Sequence, residues 1–187
     1  MRGVMMAVGI TSYTVEEFEQ IAALPENADR RLEYIGGEII EMVSNNYSSL
    51  VAALLLTKVF TFVLENNLGY VTGADGGYQV GEDRYIPDMA FVSKMRQPEP
   101  SHDAYNPNPP DLAVEVLSPT DDLNVMRFKV AGYLAAGTTV WVVDADKKQV
   151  EVYAPGQPPA RKGADETLDG GNLLPGFTLA VKDIFPE

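Results

Sequence analysis

The sequence predicts a mixed α/β or α+β protein, and three observations carry that prediction. Apolar residues recur at helical spacing in some stretches, and at period two or in short β-branched runs in others. The stretches follow one another as helix, hairpin, long helix, three or four strands, helix, two strands and a tail, which is neither a repeat array nor two separate domains. At 187 residues the chain is long enough for one substantial core and short for two ordinary ones. One domain over 1–187 is therefore expected.

Each element has its own signal. Thr14-Val-Glu-Glu17 is a capping-box pattern that opens a helix over roughly Val15–Leu24, with Phe18, Ile21 and Ala22 on one side. Arg31–Ile35 and Glu38–Val43, joined by Gly36-Gly37, read as a hairpin, and Glu33, Glu38 and Glu41 alternate with apolar residues as on a solvated strand face. Tyr47–Asn67 is the longest helix, apolar over much of its circumference around Leu54–Leu56, which suits a core and also a second subunit. Asn66-Asn67 and Gly69 end it.

From Tyr70 the period becomes two. Tyr70–Gly73 and Tyr78–Val80 flank Ala74–Gly77 as a second hairpin and lead into a strand over Tyr85–Val92 that contains Pro87-Asp88. The segment 97–110 holds five of the 13 prolines and reads as a loop. Pro110–Pro119 contains a strand built on Leu112, Val114, Val116 and Leu117. Asp121 or Asp122 then caps a helix that Gly137 stops, with Leu123, Met126, Val130, Tyr133 and Leu134 on its apolar side. Thr138–Asp144 pairs with Val150–Tyr153, Pro155–Gly163 is a loop, and Leu173–Val181 brings back strand material.

Composition narrows the chemistry. With 45% hydrophobic and 22% charged residues the chain is of a soluble globular type, and its net charge of −13 argues against a broad basic surface for nucleic acid or membrane. There is no Cys, so disulfides and thiolate zinc sites are excluded, and one His makes a histidine metal cluster or a Ser-His triad untenable. That residue, His102, reads as a loop histidine. Met1–Ile10 is mildly apolar without a cleavage site, and no run approaches the roughly 18 apolar residues of a membrane span, so a cytoplasmic location without membrane contact is expected. No phosphate-binding glycine loop is present, since Gly73–Gly77 lies between strands.

Glu115 is the anomaly. A carboxylate inside a strand that looks apolar on both faces needs partners to offset several kcal/mol of desolvation. Asp88 is expected on a neighbouring strand, and Lys129 lies on the helix that follows, four residues before Tyr133 and on the same face. Two carboxylates brought together repel, and a divalent cation relieves that repulsion. All-oxygen ligation selects magnesium or manganese, with the Val116 backbone carbonyl as a third ligand. An ammonium beside such a site favours hydroxide and stabilises charge on a phosphoryl oxygen, so Asp88, Glu115 and Lys129 form a coherent set for phosphodiester hydrolysis. Spacing alone leaves a bland reading open: Lys129 a surface lysine, Asp88 a turn residue, Glu115 a structural partner of Lys129 or Arg127.

A family resemblance favours the first reading. Pro87-Asp88, Asp111-Leu-Ala-Val-Glu-Val-Leu-Ser-Pro-Thr-Asp121, Lys129 with Tyr133, Gly137 and Val140-Trp-Val-Val-Asp144 together resemble the Uma-type family of restriction endonucleases, a bacterial branch of the PD-(D/E)XK nuclease superfamily. Leu32–Met42 resembles its first hairpin and Leu174-Pro-Gly-Phe177 the tail of a subgroup. The resemblance implies a restriction-endonuclease-like core: a mixed central sheet flanked by helices, with the acids at one end of the central strands. It implies that Asp88 and Glu115 bind the metal, that Lys129 acts from the following helix, and that Glu33 is an accessory acid near the site. The superfamily's usual lysine would fall on Leu117, and a His that members often carry at the start of the long helix falls near Tyr47 or Ser48. A magnesium- or manganese-dependent endonuclease acting on nucleic acid, DNA before RNA, and working as a homodimer is the implied function.

Two other readings compete. A non-catalytic dimeric interaction module on the same fold is favoured by the net charge of −13, unless Lys94, Arg96, Lys147, Lys148, Arg161 and Lys162 gather into a basic rim. A glycosidase using Asp88 and Glu115 would need an aromatic cleft, which the single Trp141 does little to provide.

Overall fold

A computed structural model of the chain describes residues 12–119 and 121–186; the opening stretch Met1–Ile10 lies outside them. Helix α1 (Val15–Ala22) begins on the predicted capping box, in which Thr14 accepts from the Glu17 N–H at 3.2 Å while Glu17 accepts from the Thr14 N–H at 2.8 Å. Its inward Phe18 packs on Tyr34 and Tyr105. A 3₁₀ turn (Pro25–Asn27) leads to β1 (Leu32–Ile35) and β2 (Glu38–Glu41). Gly36 and Gly37 join them with φ of +57° and +93°, the left-handed pair that a two-residue hairpin turn requires.

Helix α2 (Asn46–Glu65) starts at Asn45, whose side chain accepts from the Ser48 N–H, and buries Val51, Leu55, Val59 and Val63 on one face. No unbroken run of about 18 apolar residues occurs, yet α2, with 20 residues and a mean hydropathy of 1.8 over its best window, is long and apolar enough by length and composition alone to cross a bilayer. Polar residues such as Ser49, Thr57 and Lys58 interrupt the apolar run and hide its overall hydropathy. In the fold its buried stripe covers a sheet, as a core helix does.

The remaining elements are β3 (Gly69–Gly73), β4 (Gly77–Val80), β5 (Asp83–Tyr85), β6 (Met89–Ser93), the two-residue β7 (Tyr105–Asn106), β8 (Leu112–Leu117), α3 (Leu123–Ala135), β9 (Thr139–Asp144), β10 (Gln149–Tyr153), β11 (Ala160–Gly163), β12 (Thr167–Gly170), β13 (Leu174–Ala180) and a closing 3₁₀ turn (Val181–Ile184). Asp122 rather than Asp121 caps α3, and Gly137 at φ +80° follows its end. Asp121 instead accepts from both the N–H and the hydroxyl of Ser118, fixing the turn between β8 and α3.

The central sheet runs β11-β10-β9-β8-β6-β3 and is mixed, with β8 and β9 parallel and the other pairs antiparallel. A second sheet runs β2-β1-β5-β4-β7, and β12 pairs with β13 alone. Period two sorts the central strands: Met89, Phe91, Leu112, Val114, Val116, Trp141 and Val143 pack toward α2 and the C-terminal segment. Ala90, Val92, Ala113, Val140 and Val142 pack on the other face, toward α3 and toward Ile35, Tyr78, Val80 and Tyr85 of the second sheet.

Three strand expectations are corrected. Tyr70–Gly73 and Tyr78–Val80 do not pair with each other, because β3 joins β6 in the central sheet while β4 joins β5 and β7 in the second. Tyr85–Val92 is not one strand: β5 ends at Tyr85, β6 starts at Met89, and the chain crosses between sheets at Ile86–Asp88, where Pro87 has no N–H to give a ladder. The loop 155–163 contains a strand, β11, which extends the edge through Val150–Lys162 and Glu151–Arg161 pairs.

Candidate active site

The fold gathers Glu33, Glu115, Lys129 and Tyr133 into one buried cluster and sets Asp88 and Val116 beside Glu115 on a small cavity. Glu115 lies on β8 between Ala113 and Leu117, so it points to the α3 side of the central sheet. Lys129 and Tyr133 reach it from successive turns of α3: Lys129 Nζ stands 2.8 Å from Glu115 Oε1, and the Tyr133 hydroxyl donates to the same oxygen at 2.9 Å. Lys129 Nζ also donates to Glu33 Oε1 at 2.9 Å. The ammonium, 1% exposed, is thus clamped between two carboxylates from different sheets, with the Tyr85 ring 5.6 Å away.

Glu33 departs from the solvated-face reading. Glu38 and Glu41 are exposed, but Glu33 is fully buried, because Leu32 and Tyr34 on the opposite side of β1 pack on Phe18 and turn Glu33 toward the central sheet. Its Oε1 accepts the Ile86 N–H, and its Oε2 has no hydrogen-bond partner among the described residues. Lys129 is likewise no surface lysine. The bland pairing of Glu115 with Lys129 is real geometry, while Arg127 sits exposed beside Asn124.

Asp88 occupies the crossover just before β6. Its Oδ2 accepts the Val116 N–H at 2.7 Å, a donor left over because the β6–β8 ladder ends at Met89–Val114. In an extended strand a residue's N–H and C=O point to the same side, so the Val116 carbonyl faces the Asp88 side as well. Asp88, Glu115, Val116 and Arg31 line one small cavity of about 30 Å³. At the superfamily's usual lysine position Leu117 packs against the apolar cluster, and its carbonyl accepts from the Ser48 hydroxyl at 3.2 Å, tying α2 to the end of β8.

The electrostatics follow from burial. Burial pushes Glu115 up to about 8 against the pull of Lys129, with Glu33 and Asp88 adding to the rise. Burial also raises Asp88, opposed by the Val116 N–H and by the Lys129 and Arg31 charges. Burial works against the charge of Lys129, but Glu115 and Glu33 outweigh it and leave its pKa raised. Tyr133 is pushed well above the ordinary phenol range, so it remains a hydrogen-bond donor.

The six cations do not gather into one basic rim, which favours the interaction-module reading over a broad nucleic-acid surface. By strand register Lys94 and Arg96 lie at one end of the central sheet and Lys147 and Lys148 at the other. Arg96 pairs with Asp111, Lys147 with Asp144, Arg161 with Glu151 and Lys162 with Glu166, and Lys94 bonds Asn67. An acidic chain neutralises most of its cations locally.

A model of the Uma2 family, described as "Putative restriction endonuclease", matches residues 15–182. The chain belongs to the Uma2 family. No protein of curated function matches. Among solved structures, the chain is similar to a crystal structure described as a putative nuclease belonging to DUF820 from Anabaena variabilis, with 23% identity and a TM-score of 0.80 over 92% of this chain and 97% of that one. This Uma2 member therefore shares the mixed α+β fold of that protein, a central mixed sheet flanked by helices as the sequence motifs imply.

Sequence reading did not find Tyr85 or Arg31. Tyr85 lies under Lys129, holds Asp83 at 2.7 Å and meets Tyr133 edge-on at 5.0 Å between ring centroids. Tyr85 ends β5 rather than opening the strand that starts at Met89, so the period-two pattern over Tyr85–Val92 gives it no signal of its own. Arg31 had no signal beyond being next to Arg30.

Proposed function

We propose that this Uma2 protein is a metal-dependent endonuclease acting on DNA, with Asp88 and Glu115 as its metal-binding carboxylates. The observation that supports it most is that Asp88, from the crossover, and Glu115, from β8, line one small cavity, while Lys129 of α3 pairs with Glu115 at 2.8 Å from the buried side. Among the described residues no group of three or more His, Cys, Asp or Glu side chains could hold a metal, and in this reading the Asp88 and Glu115 carboxylates with the Val116 carbonyl would be the oxygen donors. That donor set fits magnesium or manganese, which keep several waters, and the raised pKa values of both acids are what a dication would relieve. When bound, the ion supplies Lewis-acid stabilisation of a phosphoryl oxygen and acidifies water.

The chain's own residues do the rest. Lys129, fixed by Glu115 and Glu33, holds a positive charge behind the Glu115 carboxylate, and its field would act on negative charge that develops on the phosphate beyond it. Tyr133 keeps one Glu115 oxygen oriented, so the other is available on the cavity side. Glu33 acts as an accessory acid by positioning Lys129. We also infer a homodimer: Leu50, Phe60 and Leu64 leave an exposed apolar stripe on α2, opposite the stripe that covers the sheet.

The test is manganese binding by calorimetry with cleavage of single- and double-stranded DNA, in the wild type, Asp88→Ala, Glu115→Ala and Lys129→Ala. The expected result is binding lost in both acid variants and metal-dependent cleavage lost in all three. A wild type that neither binds manganese nor cleaves DNA at millimolar metal would leave a non-catalytic interaction module on this fold.

A further inference from the structure

Arg31 stands apart from the other cations near the site. Arg30 is held by Glu41 at 2.7 Å, Arg84 by Glu19 at 2.7 Å, and Lys129 by Glu33 and Glu115. The Arg31 guanidinium has no ion pair or side-chain hydrogen bond among the described residues, although the side chain is only partly exposed. It immediately precedes β1, two residues before Glu33, and it lines the same small cavity as Asp88 and Glu115.

Its location gives that free charge a use. Arg31 lines the small cavity with Asp88 and Glu115, and it also lines a groove of about 800 Å³ between α1 and the second sheet; Ile86 is the other residue shared by both. The side chain therefore stands at the junction between an open groove and the carboxylates.

We propose that Arg31 anchors the phosphate of the substrate, its guanidinium binding a non-bridging oxygen of the phosphodiester presented to Asp88 and Glu115. The inference rests on the nuclease reading and adds the group that receives the substrate. Two buried carboxylates repel a phosphodiester, and Lys129 is already engaged by both its partners. A planar guanidinium with uncommitted donors matches phosphate geometry and supplies the missing attraction. The Arg31 charge already acts on Asp88, drawing its carboxyl down against the effect of burial. Farther along the groove Asp29, Asp75 and Asp103 disfavour a run of phosphates. The contact is therefore local, and the salt dependence of binding is shallow.

The experiment compares wild type, Arg31→Ala, Arg31→Gln and Arg31→Lys. Steady-state cleavage is followed in manganese on whichever DNA form the wild type cuts. Binding of the same fluorescein-labelled DNA is followed by anisotropy in calcium across a salt series, and manganese binding without DNA by calorimetry. Arg31→Ala and Arg31→Gln are expected to raise KM and Kd by roughly ten- to a hundredfold, the weight of a hydrogen bond to a charged group, with a smaller change in kcat. The salt slope should fall by about one, as for loss of one phosphate contact. Arg31→Lys should recover part of the affinity, and manganese binding should stay within about twofold in all variants, which shows that the site is folded. An active wild type whose KM and salt slope are unmoved in Arg31→Gln would overturn the anchoring role and leave the nuclease reading standing. A wild type that neither binds nor cleaves DNA would overturn both.

Discussion

Lys129→Met is the most informative single change, because it removes the charge and keeps the buried stem. In the wild type the ammonium is 1% exposed and closes two ion pairs, at 2.8 and 2.9 Å, with carboxylates that are themselves almost wholly buried. Removing one partner of a buried pair costs about 3–5 kcal/mol, since the remaining charge stays out of water. The variant can soften that loss by taking up a proton on Glu115. Lys129 is what pulls Glu115 down, so without it the Glu115 pKa climbs further and the proton is held over a wider pH range. The loss should therefore be larger at pH 8.5 than at pH 5.5, where it shrinks to the roughly 1–3 kcal/mol of unsatisfied buried groups. Urea unfolding at the two pH values measures it, with an unchanged m-value showing that the same unfolding is compared. Adding Glu33→Gln and Glu115→Gln to Lys129→Met should restore much of the stability, because no buried charge is left alone. A cost below about 1 kcal/mol at both pH values would refute the buried bridge.

Other perturbations test separate parts of the structure. The folded Glu115 pKa of about 8 lies above its ordinary 4.5, so its contribution to stability is full below about 4.5 and lost as pH rises through about 8; Glu115→Gln should flatten the decline in unfolding free energy between those values in urea titrations. A Cβ at Gly132 would stand 2.6 Å from the Tyr85 hydroxyl, so Gly132→Ala should cost about 1–3 kcal/mol by thermal unfolding. Adding Tyr85→Phe should bring the total below the sum of the two single changes, because it removes the clashing oxygen along with the hydrogen bond to Asp83. Leu50→Glu with Phe60→Glu places two charges on the exposed stripe of α2 and should convert a dimer to a monomer in analytical ultracentrifugation, without lowering stability by more than about 0.5 kcal/mol per site.

Much of the fold could be read locally. The capping box at Thr14, the paired glycines of the first hairpin, and the length and apolar spacing of α2 are signals carried by neighbouring residues, and each produced the element it predicts. The strand around Glu115 and the helix bearing Lys129 were legible for the same reason, and a lone carboxylate in an apolar run was enough to demand a partner. Strand pairing was not legible in this way. Ala74–Gly77 and Pro87 look like a turn and a strand start whether the flanking strands pair with each other or divide between two sheets, because that choice is made by distant strands competing for the same ladder bonds.

The sequence by itself determined which residues are the candidates for chemistry, because Asp88, Glu115 and Lys129 sit in motifs whose residue types and spacing are local properties. Only the tertiary structure decided how they are used. Period two assigns Glu33 to one side of β1 or the other, but only the packing of Leu32 and Tyr34 on Phe18 makes that side the interior and sets Glu33 against Lys129. The free charge of Arg31 depends on Glu41 taking Arg30, and that choice is made across the β1–β2 hairpin. Burial and pairing are properties of the surroundings, and the surroundings come from residues far away in the chain.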